Sequence, residues 1–236
     1  MFEFLLPLTC LHCRRPSRFS LCEKCSAPFR DVPRCVAHIS GVPLWVTAYY
    51  AGSVRRAIVA YKEEGITSLR KPLSFAIANG IAHFAQQYED LAVVPIPSRI
   101  QALRSRGEDA IGELALAGAR AAGLPPRALQ RLIHMNPLVR DQGGLGAAAR
   151  RENMAGALAL ASSSSVVRSS AHLVLIDDVV TTGETVRAAI ALFPPGKVVG
   201  VVAVALVLAP PQSRLEKPVG EIAQRRGYRS SPTMET

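Results

Sequence analysis

The stretch Leu173-Val174-Leu175-Ile176-Asp177-Asp178-Val179-Val180-Thr181-Thr182-Gly183-Glu184-Thr185 constrains the fold more than any other part of the chain. Its first four residues are too apolar for a surface strand. They predict a central strand buried on both faces. Asp177 and Asp178 end that run. Open α/β sheets gather ligands at the carboxyl ends of their strands, and the pair is expected there. A helical pattern starts at Val186. Between them, Thr181, Thr182, Gly183 and Thr185 offer backbone N–H groups, hydroxyls and the positive end of that helix, which together suit a phosphate monoester. The carboxylates suit vicinal hydroxyls or a Mg²⁺ ion. The plainer reading is a buried strand ending in a solvated acidic turn. Glu184 is a misfit, because a carboxylate at a helix start competes with a phosphate for the same positive end.

A chain of 236 residues accommodates one α/β domain and a small appendage. Hydrophobic residues make up 49% and charged residues 19%, so a large core is available. The net charge of +10 fits phosphate ligands or nucleic acid, and equally a surface charged for solubility. The arginines form no single block, and aromatics at 6% leave little for base stacking. No apolar run reaches the roughly 20 residues of a membrane span, so no membrane insertion is expected. Phe2 to Leu8 contains Glu3 and lacks a basic leader, which argues against a signal peptide and for a cytoplasmic location.

All five cysteines fall within the first 35 residues. Cys10-Leu11-His12-Cys13 and Cys22-Glu23-Lys24-Cys25 are two C-x-x-C knuckles, spaced to wrap one tetrahedral Zn²⁺. Disulfides are the rival reading, disfavoured in a cytoplasmic chain; free or redox thiols are another. Cys35-Val36-Ala37-His38 is a third knuckle-like pair that replaces one of the first two or binds nothing. A metal clip explains how a segment with little apolar content folds. Composition divides the chain into a cysteine-rich module (1–43), an α/β domain (44–209) and a disordered basic tail (210–236).

Trp45 to Tyr50 alternates like a strand, and Ser53 is placed to N-cap a helix running to about Gly65. Lys62 lies at the exit of that helix, where spacing alone suggests a solvated side chain. A second helix is expected from Pro72 to Gln87, and a buried strand at Leu91 to Val94. Pro95-Ile96-Pro97-Ser98-Arg99 is a stiff turn at that strand's end. Arg99, Arg104 and Arg106 cluster after it, suited to bidentate phosphate contacts or forming a basic helix face. Gly107 to Ala122 reads as an alanine-rich helix, Arg140 to Gly146 as a loop, Ala147 to Asn153 as a short helix and Gly156 to Leu160 as the start of a strand. Ser162 to Ser165 is a connector. A helix to Phe193 and a buried strand from Lys197 to Leu208 complete the pattern.

The 173–185 stretch resembles the signature of type I phosphoribosyltransferases, which bind phosphoribosyl pyrophosphate (PRPP). The order of pieces from Cys10 to Leu208 resembles the ComF family. Those pieces are the cysteine knuckles, Tyr50-Ala51-Gly52 through Lys62, Val94 to Pro97, Arg106-Gly107, Gln142 through Ala157, and the signature. The resemblance implies an α/β fold: a type I phosphoribosyltransferase-like parallel sheet flanked by helices, with a small N-terminal zinc ribbon. It implies catalytic roles for Asp177 and Asp178. Thr181, Thr182, Gly183, Thr185, Ser98, Arg99 and Arg106 would bind PRPP, and Arg140, Arg151 and Lys62 would serve the loop over the pyrophosphate. Mg²⁺ would act with PRPP, and a structural Zn²⁺ would sit on Cys10, Cys13, Cys22 and Cys25. Family members are associated with DNA uptake, which implies single-stranded DNA and a DNA-uptake helicase as partners. One element departs: the family usually has Arg-Gly-Phe-Asn-Gln where this chain has Arg106-Gly107-Glu108-Asp109-Ala110. Two carboxylates there would repel a nearby anion. The alternative function is a module that senses PRPP, or binds single-stranded DNA or a partner, without chemistry.

Overall fold

The computed structural model describes residues 9–97, 109–136, 157–161 and 171–208. A single-turn helix, Glu23–Ser26 (α1), lies in the cysteine-rich segment. Strands Arg34–Ile39 (β1) and Val42–Tyr49 (β2) then form an antiparallel pair around a left-handed turn at Ser40 and Gly41. Helices Gly52–Glu63 (α2) and Arg70–Ala85 (α3) lead to strand Leu91–Pro95 (β3) and helix Ala110–Ala121 (α4). Ile133–Met135 (β4) and Leu158–Leu160 (β5) pair with each other in a small antiparallel sheet. The last elements are strand His172–Val180 (β6), helix Glu184–Ile190 (α5) and strand Val198–Leu206 (β7).

The main sheet runs β1-β2-β7-β6-β3, parallel throughout except at β1. Two-residue periodicity divides its side chains between two cores. Val174, Ile176, Val202 and Val204 face α2, α3 and α4. Leu173, Leu175, Val201 and Ala203 face α5 and the β4–β5 pair. The structure is thus a mixed α/β fold with a mostly parallel central sheet, covered on both faces. A strand with both faces buried reads as a continuous apolar run, and this is why 173–176 and 198–206 do.

Helix α3 approaches the sheet closely because two glycines let it. A Cβ on Gly80 would collide with Val202, and one on Gly200 with the Phe84 ring. The buried Thr47 hydroxyl donates to the Ala76 carbonyl at 2.8 Å, tying β2 to the same helix. The cysteine-rich segment joins this core. Cys10, Leu21, Cys25 and Phe29 are buried in one cluster with Val54, Ala57 and Ile58 of α2 and Leu73 of α3.

Several boundaries differ from the sequence expectation. β6 does not stop at Ile176: it continues to Val180, with Val179 opposite Ala205 and Val180 opposite Leu206. The two carboxylates interrupt the apolar run but not the hydrogen-bonded ladder. Cys35 to His38, read as a knuckle-like pair, lie within the strand Arg34–Ile39, and the Cys35 thiol approaches the Ala37 carbonyl at 3.6 Å. Ser53 does not cap α2. The cap position is Ala51, whose methyl group cannot accept a hydrogen bond, and Gly52 opens the helix with φ 49. α4 starts three residues late, at Ala110, because the Asp109 carboxylate accepts from the Gly112 N–H at 3.0 Å and fixes the helix start there. The Ser162 to Ser165 connector, the Ala147 to Asn153 helix and the tail lie outside the described residues. No helix among the described residues is long and apolar enough to cross a membrane.

Candidate functional site

Asp177 and Asp178 sit in the carboxyl-terminal half of β6, between β3 and β7. Alternation sends their side chains to opposite faces of the strand, yet the two remain linked. The Asp178 N–H donates to Asp177 Oδ1 at 2.8 Å. Asp178 is buried, and Lys62 in the last turn of α2 places its Nζ 2.8 Å from Asp178 Oδ2. This is an ion pair by charge and distance. Burial alone would lower the Lys62 pKa, but the charges of Asp178 and Asp177 outweigh it and hold the ammonium above its usual value. Asp177 is pushed up to about 8, by burial first and by the adjacent Asp178 charge second, with Lys62 acting in the opposite sense.

The strand ends in an exposed turn. Thr181 and Thr182 are exposed, and Gly183 is buried in the left-handed conformation, φ 77, that opens α5. A side chain at Gly183 would be strained there, which explains the glycine. Glu184, the misfit of the sequence, lies 3.7 Å from Arg187 of its own helix. Its charge therefore has a partner one turn along.

The Pro95-Ile96-Pro97 corner lies beside the acid pair. Pro95 is in register with Ile176, and the Ile96 N–H donates to the Ile176 carbonyl at 2.8 Å. On the other side is a narrow cleft lined by Ile58, Tyr61, Lys62, Ala110, Leu114 and Asp178, with room for about one water. At its edge the Tyr61 hydroxyl donates to the Ala110 carbonyl at 3.0 Å. Asp109, one of the two carboxylates in the altered 106–110 element, is paired with Arg131, which also lies 3.7 Å from Glu113. Cap and ion pair both compensate the Asp109 charge.

The cysteines make a second centre. The sulfurs of Cys10, Cys13, Cys22 and Cys25 all lie within 4.8 Å of one another. A tetrahedral zinc with Zn–S bonds of about 2.3 Å requires sulfurs about 3.8 Å apart, so the four residues fit the ion. Cys13 and Cys22 are 3.6 Å apart, far beyond the roughly 2 Å of a disulfide. Burial raises the Cys10 thiol, but the N–H groups of Cys13, Cys22 and His12 outweigh it and bring the group down to about 6. Burial and the neighbouring sulfurs push Cys25 up to about 12. Four thiols this close cannot all ionise unaided, and a divalent cation among them removes the conflict. Cys35 is not in the cluster.

The structure therefore brings Asp177, Asp178, Thr181, Thr182, Gly183 and Lys62 to one end of the sheet, with Thr185 in the first turn of α5. Ser98, Arg99, Arg104, Arg106, Glu108, Arg140 and Arg151 lie outside the described residues. Sequence reasoning missed the Lys62–Asp178 pair and the Asp109–Arg131 pair. Both join residues far apart in the chain, and no spacing rule connects them. No family model matches the chain, and no curated protein matches it.

Proposed function

We propose that this chain is a PRPP-binding protein of the ComF type, a type I phosphoribosyltransferase fold carrying a zinc ribbon. One observation carries the reading. An acid pair on an inner strand, Asp178 buried and Asp177 half-buried, is flanked by the turn with exposed Thr181 and Thr182 before Gly183 and by the Pro95–Pro97 corner hydrogen-bonded to β6. The 5-phosphate is assigned to the turn, where hydroxyls and backbone N–H groups meet. The ribose hydroxyls are assigned to Asp177 and Asp178. The pyrophosphate is assigned to Ser98, Arg99 and Arg106, with Arg140 and Arg151 closing over it.

In transfer, pyrophosphate departs and positive charge develops at the anomeric carbon. The acid pair stabilises that charge, and arginines stabilise the leaving group. Lys62, 2.8 Å from Asp178 Oδ2, holds that side chain in place. Mg²⁺, when bound with PRPP, supplies neutralisation of the pyrophosphate charge. A role in DNA uptake, with single-stranded DNA or a helicase as partner, belongs to the same proposal and rests on the family resemblance alone.

Calorimetry with PRPP, with and without Mg²⁺, tests the assignment. Binding should require the ion and weaken at least about tenfold in Asp177→Asn/Asp178→Asn. Unchanged heats in that variant would falsify the role of the pair. Pyrophosphate release with a panel of bases and amines then separates an enzyme from a sensor: binding without turnover selects the sensor.

A further inference from the structure

A groove that neither the acid pair nor the cysteine cluster uses lies between the cysteine-rich segment and the start of α3. Its floor is made by Leu21, Phe29 and Leu69, all buried. Phe19 and Phe75 stand at its sides, 75% and 46% exposed. Exposure of two phenylalanines on one concavity costs solvation that an ordinary surface avoids, and such patches mark binding sites. The cavity measures about 220 Å³. That is smaller than the roughly 300–1,000 Å³ that encloses a drug-sized ligand, and it suits an apolar side chain or two. The charged residues on its lining are Arg30 and Lys71, both exposed, and no acid is among them. Arg30 donates to the Ser26 hydroxyl at 3.1 Å. Among the described residues, neither cation has a carboxylate partner.

We propose that this groove docks a segment of a partner protein, with an apolar anchor such as Phe or Leu flanked by carboxylates. The anchor fills the pocket over Leu21, Phe29 and Leu69, and the carboxylates meet Arg30 and Lys71. Anchored recognition of this form concentrates binding in one buried side chain with a charged rim. Single-stranded nucleic acid is the weaker fit. It calls for a row of cations along a track with bases stacked in succession. Here two cations border an enclosed apolar floor. The groove shares no lining residue with the cleft beside Asp178, so the inference stands apart from the proposed PRPP site.

The test uses the full chain with its metal and fluorescein-labelled peptides. The peptides share a Phe-x-x-Leu anchor and step from acidic to basic flanks. Anisotropy should show the acidic peptides binding at least about tenfold tighter, with a loss of about tenfold in Phe75→Ser and in Lys71→Glu. Thermal melts report whether the variants fold, and Lys71→Glu, a surface change, carries the test if Phe75→Ser melts early. Equal affinity for acidic and basic peptides overturns the proposal. So does an oligothymidine that binds and is lost in the same two variants, which would make the occupant nucleic acid. A dimer that Phe19→Ser dissolves, or a photoreactive group at position 75 that marks residues 1–8 of the same chain, overturns it as well.

Discussion

Among the described residues, the cation paired with Asp178 is Lys62. Lys62 is about a third exposed, while Asp178 is nearly closed to solvent. Removing the lysine strands a buried charge, and removing both removes the conflict. Lys62→Met should destabilise the protein by about 2 kcal/mol, and Lys62→Met/Asp178→Asn should recover most of that, measured by urea denaturation. Equal losses in the single and double variants would show that the lysine acts through packing alone. His83 gives a separate signature. Its ring lies 4.0 Å from Trp45 and 5.2 Å from Phe84, with Gln87 at 2.9 Å, and burial holds its pKa below the usual value. The unfolded chain therefore takes up the proton first as pH falls. The native state keeps the His83 contribution above the ordinary histidine value and loses it below. The urea midpoint should drop between about pH 7 and pH 5, and drop less in His83→Gln. Parallel curves for the two proteins would exclude His83 as a source.

At the scale of elements, α3 on β7 is the contact with least room. Gly200→Ala should cost about 2 kcal/mol, because the new methyl meets the Phe84 ring with no flexible chain end to yield. Circular dichroism melts of Gly200→Ala and Gly200→Ala/Phe84→Leu measure it, and the second change should restore part of the loss. The strands here were legible in the sequence wherever both faces are buried: Leu91 to Val94, Leu173 to Ile176 and Val198 to Leu206 declare themselves by continuous apolar character. β1 did not, because Cys35 and His38 at knuckle spacing hid a six-residue edge strand. β4 did not, because three residues carry no periodicity. β6 was cut short because Asp177 and Asp178 look like a boundary, although the ladder continues past them on Val179 and Val180. The acid pair and the four cysteines were legible as local patterns. Lys62 and Arg131 reach their partners through tertiary packing, which local patterns do not encode.

Across the whole molecule, the cysteine cluster is a part of the core rather than an appended bead. Cys10 and Cys25 are buried against the same residues that seat α2, and α2 carries Lys62 to Asp178. Metal binding to folded thiolates is folding free energy. Chelation, or Cys25→Ser, should lower the melting temperature in a single transition and raise hydrogen exchange along residues 52–63. A separate early transition, with those amides still protected, would show the segment to be energetically independent.

β1 has a consequence of another kind. It closes the flank of β2, so the parallel strands present no open margin on that side. Its own outer margin is six residues long, is broken by an irregular step between Cys35 and Ala37, and begins with Arg34 leaning over the Tyr49 ring. A visiting strand would find no straight, uncharged template to zip onto. Straightening that step by deleting Val36 should raise the thioflavin signal above that of the unaltered chain at equal concentration.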